Sequence, residues 1–246
     1  MKRFSGSTAL VTGASRRIGK AIALKLAACG ANVIVHYSES AKQAQDVVSQ
    51  LKCSGVKSWK IRADFKRPAQ IENMIDRANK IAGRVDLLIN NASVFSDSYI
   101  ETMEFDEFVR TLSINSFAPL VLSRDFAKQA SHGSIINILD TRIETASPKH
   151  TSYQLSKDIL KSITKIMALR YAPKIRINGI APGLILPPPG KDVRFLKKLA
   201  RKSLMKRYGS VDDVSNAVIY LLENDYITGE VIFVDGGQNI TGGHYD

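Results

Sequence analysis

A single doubly wound α/β domain is what this sequence predicts, on three observations. Short apolar, β-branched runs alternate with longer stretches of helical period through most of the 246 residues. Most of those runs are apolar on both faces, as parallel strands covered by helices are. The run 12–19, TGASRRIG, sets glycines between the first strand and the first helix, where the chain must turn tightly.

The predicted strands are TALVT (8–12), NVIVHY (32–37), SWKIRA (58–63), DLLIN (86–90), SIINIL (134–139), KIRINGI (174–180) and EVIFVD (230–235). Between them, apolar residues recur at three- and four-residue spacing in 17–30, 40–55, 69–83, 104–130 and 153–172. Gly30, Gly55 and Gly83 suit helix ends. This order gives a mostly parallel sheet of about seven strands with helices on both faces, a Rossmann-type arrangement. With no internal repeat and no linker, residues 1–246 read as one domain. LPPPGK (186–191) is a break, but EVIFVD beyond it still belongs to the sheet. Residues 184–209 therefore read as an insertion over the carboxyl edge, where ligands bind in open α/β sheets.

Composition narrows the classes. No apolar run reaches the ~18 residues that span a bilayer, and the amino terminus lacks a signal-peptide pattern. Cys29 and Cys53 make neither a disulfide frame nor a metal site. A cytoplasmic location, no membrane association and no metal are expected. The net charge is +12, and 191–207 holds eight basic residues against one acid. A solvated helix face and a rim attracting an anionic ligand both account for that run. No nucleic-acid motif accompanies it, so no nucleic-acid partner is expected.

In the first turn, Gly13 and Gly19 suit close packing of helix against sheet. The amino end of the helix then offers free N–H groups to a pyrophosphate. The second strand ends His36-Tyr37-Ser38 and lacks the acid that usually holds an unphosphorylated ribose. Arg16 can reach the same place, so basic and hydroxyl groups suit a ribose 2′-phosphate and the cofactor is expected to be NADPH. Glu39 is the competing detail, and a solvent-facing position at the next helix start accounts for it.

TGASRRIG, NNAS (90–93), SIN (113–115), YQLSK (153–157), APG (181–183) and YITGEVIFVDGG (226–237) together resemble the short-chain dehydrogenase/reductase superfamily over essentially the whole chain. Within it the sequence looks most like the pteridine reductases and dihydromonapterin reductases. Arg17 stands where most members have glycine, Ser93 where most have the glycine of NNAG, and Asp140 where most have a catalytic serine. HYSES and KSLMK also look like that branch. The resemblance implies a homotetramer and a pterin-like substrate. It implies cofactor contacts from Gly13, Ser15, Arg16, Arg17, Ile18 and Gly19, and from His36, Tyr37 and Ser38. It extends them to Asp64, Phe65, Asn91, Ala92 and Ser93, to Tyr153 and Lys157, and to Pro182, Gly183 and Leu184. After APG the superfamily usually carries a hydroxyl residue, but here the run is Leu184-Ile185-Leu186, so that contact must come from elsewhere.

Tyr153 and Lys157 are four apart on a helix and share a face. An ammonium beside a phenol lowers the phenol pKa, which suits Tyr153 to proton donation. In the family Asn115 holds a water beside the lysine. An ordinary polar helix residue is the alternative. An ionised Asp140 only accepts hydrogen bonds and repels a developing alkoxide. It fits a C=N substrate, whose nitrogen gains a proton as hydride reaches carbon. A structural aspartate capping the loop DTRIET is the other reading. Phe95 would stack on a flat heterocycle, and Arg17 would bridge phosphate and a substrate carbonyl. Ser93 completes the expected substrate set of Arg17, Ser93, Phe95, Asp140 and Tyr153. Two alternatives stay open. One is a carbonyl reductase such as a 3-oxoacyl-acyl-carrier-protein reductase, whose acidic carrier would suit 191–207. The other is a non-catalytic dinucleotide-binding regulator, against which intact Asn115, Tyr153 and Lys157 argue.

Overall fold

The computed structural model describes residues 3–146, 148–188, 190–201 and 203–241. Seven strands form one sheet in the order β3-β2-β1-β4-β5-β6-β7, and every neighbouring pair is parallel. They are β1 (Thr8–Val11), β2 (Asn32–Tyr37), β3 (Ser58–Arg62), β4 (Leu87–Asn90), β5 (Gly133–Ile138), β6 (Ile175–Pro182) and β7 (Val231–Val234). Each falls on an apolar run identified from sequence.

Three helices cover one face: α1 (Arg17–Ala28), α2 (Ala41–Cys53) and α9 (Val211–Glu223). The other face carries α3 (Pro68–Glu72), α4 (Met74–Ala82), α5 (Phe105–Leu112), α6 (Ala118–Gln129) and α7 (Thr151–Tyr171). The two core clusters follow strand parity. On β1, Ala9 and Val11 face the α1 side while Leu10 faces the α7 side. Strand order reverses between β1 and β4, so the carboxyl ends of those strands open the crevice where ligands sit in this architecture.

Residues 104–130 are not the continuous helix that their spacing predicts. A π-helical turn, Ser113–Phe117, separates α5 from α6, and such turns concentrate at functional sites. Helix α9 was not among the periodic stretches singled out. It starts at a capping box in which Ser210 and Asp213 satisfy each other's backbone N–H. Within 184–209 lies α8 (Val193–Ala200), and the Gly209 N–H closes the neck of the segment on the Leu184 carbonyl at 2.9 Å. Pro189 and Lys202, in the predicted break and basic run, lie outside the described residues. A last short helix, α10 (Gln238–Thr241), follows β7. No helix among the described residues is long and apolar enough to cross a membrane.

Candidate active site

Gly13 has φ +62, a conformation that favours glycine. At Gly19 a Cβ would run into the Gly13 carbonyl oxygen and the Asn91 side-chain nitrogen. The turn is held from behind by Asn91, whose Nδ2 donates to the Thr12 carbonyl at 2.8 Å. Thr12 Oγ1 in turn accepts the Asn91 and Ala92 N–H groups at 2.8 and 2.9 Å. Thr12 was not singled out from sequence, although it precedes Gly13 in the motif. Arg17 opens α1 at φ +55, a position strained by about 1–3 kcal/mol for a non-glycine residue. Its guanidinium donates to the Pro187 carbonyl at 2.9 Å, tying the first turn to the 184–209 segment.

His36 is placed differently from the sequence expectation of a basic group facing a phosphate. Its ring is buried and stacked on Phe65, 4.4 Å between centroids. Nδ1 accepts the Gly13 N–H at 3.0 Å, so Nε2 carries the proton and donates to the Ala63 carbonyl at 3.0 Å. Burial above all lowers its pKa to about 4. His36 therefore pins the first turn as a neutral ring. Its folded pKa lies below the ordinary 6.5, so the stabilisation is complete above pH 6.5 and is lost as pH falls towards 4. The expected loss is about 3 kcal/mol. Urea midpoints measured between pH 7 and pH 4 should show a steeper decline in wild type than in His36→Gln.

Of the other residues expected near the cofactor, Ser15 is buried, while Arg16 is exposed at the start of α1. Ile18 packs against the α1-side core. Tyr37 is half-buried, and the Ser38 carbonyl accepts from Arg62 at 3.2 Å. Glu39 faces solvent and lies 3.7 Å from Lys66. Asp64 accepts the Lys66 N–H at 3.1 Å. Pro182 ends β6, and the Gly183 N–H is bonded to the Val234 carbonyl at 3.0 Å. Beside Gly183, the Gln238 side-chain oxygen is buried without a hydrogen-bond partner, 2.8 Å from where a Cβ on Gly183 would lie. That orphaned acceptor, with the glycine cradle of the first turn, fits a dinucleotide whose amide end needs a polar contact after APG.

The proton-handling residues meet at the end of β5. Tyr153 donates its phenolic proton to Asp140 Oδ2 at 2.9 Å. The other oxygen, Oδ1, accepts the Arg142 N–H at 2.9 Å and caps the 3-10 turn Thr141–Glu144. The capping role read from sequence is met by one oxygen, while the other faces the phenol. Arg142, missed from sequence, stands 3.8 Å from Asp140 Oδ2 and 5.3 Å from the centre of the Phe95 ring. Lys157 does not bond the phenol. Its Nζ donates to the Ile138 carbonyl at 2.8 Å and lies 5.6 Å from the Tyr153 ring centre. Burial, with the Asp140 charge and hydrogen bond adding to it, pushes the Tyr153 pKa well above its usual value. The expectation that Lys157 turns Tyr153 towards phenolate is corrected: the phenol is held neutral. Lys157 itself is brought down to about 8 by burial, against the opposing pull of Asp140.

Asn115 sits fully buried in the π-helical turn. Its Oδ1 accepts from the Val94 N–H at 2.9 Å and Ser93 Oγ at 3.1 Å. Its Nδ2 donates to the Val94 carbonyl and to Ser156 Oγ, both at 3.0 Å. The side-chain amide is spent on clamping the 93–94 loop to α7. Ser93 points into that clamp. Phe95 beyond it is 43% exposed and meets the Tyr153 ring edge-on, 4.7 Å between centroids.

The family model described as enoyl-(acyl carrier protein) reductase matches residues 13–239. Short-chain dehydrogenase/reductase GME11373 of Pestalotiopsis microspora is 32% identical over 255 residues, covering 96% of each chain. The chain belongs to the short-chain dehydrogenase/reductase superfamily. It is an oxidoreductase of that family. Glucose 1-dehydrogenase 2 of Bacillus subtilis is 30% identical and covers 97% of both chains. The crystal structure of FolM alternative dihydrofolate reductase 1 from Brucella canis, complexed with NADP, superposes with a TM-score of 0.90. It is 31% identical and covers 97% of this chain and 96% of that one.

Proposed function

We propose that this short-chain reductase transfers hydride from NADPH to a C=N bond of a pterin-like substrate. The observation that carries the reading is the carboxylate of Asp140 accepting a hydrogen bond from the Tyr153 phenol, at a site where a ketone reductase needs a donor. The likeness to an alternative dihydrofolate reductase supports it.

The cofactor is NADP(H). Gly13, Gly19 and the free N–H groups opening α1 suit its pyrophosphate. Arg16 is exposed where the 2′-phosphate would lie, and Glu39 lies 3.7 Å from Lys66. The nicotinamide supplies the hydride. Everything else falls to the chain. Phe95 and Arg17 would hold the flat substrate, and the 184–209 segment would cover it. Tyr153, kept neutral, gives its proton to the ring nitrogen. Asp140 stabilises the positive character that nitrogen develops. Lys157, with its pKa at about 8, gains and loses a proton near neutral pH and suits the resupply of Tyr153. We also propose a homotetramer in the cytoplasm.

NADPH oxidation with dihydrobiopterin, dihydrofolate and acetoacetyl thioester tests the reading in one panel. Activity confined to the thioester favours the carbonyl-reductase alternative, to which the family model's description and the basic run around α8 give some support. Cofactor choice is tested separately. Arg16→Ala is expected to weaken NADPH binding by about 1.5–3 kcal/mol, the loss of a charge-assisted contact, and to leave NADH nearly unaffected. Equal losses in fluorescence titrations would remove Arg16 from the 2′-phosphate site.

A further inference from the structure

His150 has no part in the chemistry just described, yet its ring lies against the substrate wall. It precedes α7, and His150, Tyr153 and Lys157 follow at spacings of three and four residues, along one face as the helix begins. Its side chain is 6% exposed. One side of the ring packs on Phe95, 4.2 Å between centroids. Nδ1 is 3.0 Å from the Ser96 carbonyl and 3.3 Å from Asp97 Oδ1. Both are acceptors, so the proton sits on Nδ1 and the neutral ring has its lone pair on Nε2. That nitrogen has no hydrogen-bond partner among the described residues and keeps contact with solvent.

The anchor on Nδ1 is itself firmly held. Ser96 Oγ donates to Glu107 Oε1 at 2.5 Å, and the same carboxylate accepts from Thr111 and Ser152. Burial works against the charge on Glu107, but those hydroxyls and Arg110 outweigh it and hold the carboxyl below its ordinary range. The ring is thus fixed through Nδ1, and the free acceptor belongs to a ring packed on Phe95, whose own ring meets Tyr153. A purely structural histidine would need only the anchored nitrogen.

We infer that His150 Nε2 accepts a hydrogen bond from the N–H edge of a flat heterocycle lying against Phe95, which makes His150 a specificity-determining residue for amino-substituted ring substrates. The inference rests on the pterin reading above and sharpens it. A ring with an N–H edge pairs the buried acceptor. A ring without one leaves it unpaired when water is displaced, the arrangement by which sites reject isosteres.

The test is binding of 2,4-diaminopteridine and of unsubstituted pteridine to the NADP-loaded enzyme by calorimetry. The variants are His150→Asn, which keeps a donor for Ser96 and deletes the group at the Nε2 position, and His150→Gln, which keeps a polar group at that position. His150→Asn should bind the diamino compound about tenfold more weakly and the unsubstituted ring much less affected. His150→Gln should retain most of the wild-type preference. Equal losses for both ligands, or no loss for either, would overturn the inference and leave the pterin reading standing. Failure of the wild type to bind either pteridine would remove that reading, and this inference with it. Thermal melts establish that each variant is folded, and if His150→Asn is not, the preference measured in His150→Gln decides: its loss would count against the inference.

Discussion

Tyr153→Phe is expected to lower turnover on a dihydropterin by a factor of about 10²–10⁴ while NADPH still binds. The change removes one atom from a buried ring, so packing against Phe95 survives. What disappears is the proton that now sits between the phenol and Asp140 Oδ2. Burial and the adjacent carboxylate hold that phenol neutral, which makes it a reservoir of one proton at the place where the substrate nitrogen would lie. Lys157 cannot stand in for it directly, because its ammonium is turned to the Ile138 carbonyl. Cofactor affinity, read by fluorescence, should hold because the phenol's only described hydrogen bond is to Asp140. Near-normal turnover with intact NADPH binding would take Tyr153 out of the proton path and leave Asp140 and water to fill it.

The fold was largely legible because burial writes a period into the sequence. Most of the seven strands sit on runs that are apolar on both faces, and the alternation of strand and helix matches the parallel pairing of the sheet. The π-helical turn at Ser113–Phe117 was not legible, since apolar spacing continues smoothly from α5 into α6. It is fixed by tertiary bonds from Asn115 to Val94 and Ser156, which no local pattern shows. His36 was readable but misread. It shares strand parity with Ile34, which lies in the α7-side core, so an inward ring was the expectation that alternation supported. Helix α9 carried its own signal in the Ser210-to-Asp213 capping box. Around Asp140, sequence supplied the residue types and left the geometry open. Only the structure shows its two oxygens divided between a cap and a phenol.

That division sets what Asp140→Ser should do. A serine Oγ can accept the Arg142 N–H that Asp140 Oδ1 now holds, and serine is about as good a capping residue as aspartate. The 3-10 turn should therefore persist, with melting temperature little changed. The partner of the Tyr153 phenol and the negative charge beside Arg142 are both lost. With a C=N substrate, the carboxylate that stabilises a cationic nitrogen is gone, and kcat/KM for a dihydropterin should fall by about 10²–10³, the usual scale for removing one preorganised electrostatic group. With a ketone the sign reverses. The charge that repels an alkoxide has left, a hydroxyl donor has arrived, and Arg142 keeps its positive charge close by. Activity on a small model ketone should rise. Unfolding lowers both rates together, so opposite movements would locate the effect in the chemistry. Unchanged pterin reduction in a folded Asp140→Ser would mean that the carboxylate serves the cap alone, and the choice of a C=N substrate would lose the observation on which it rests.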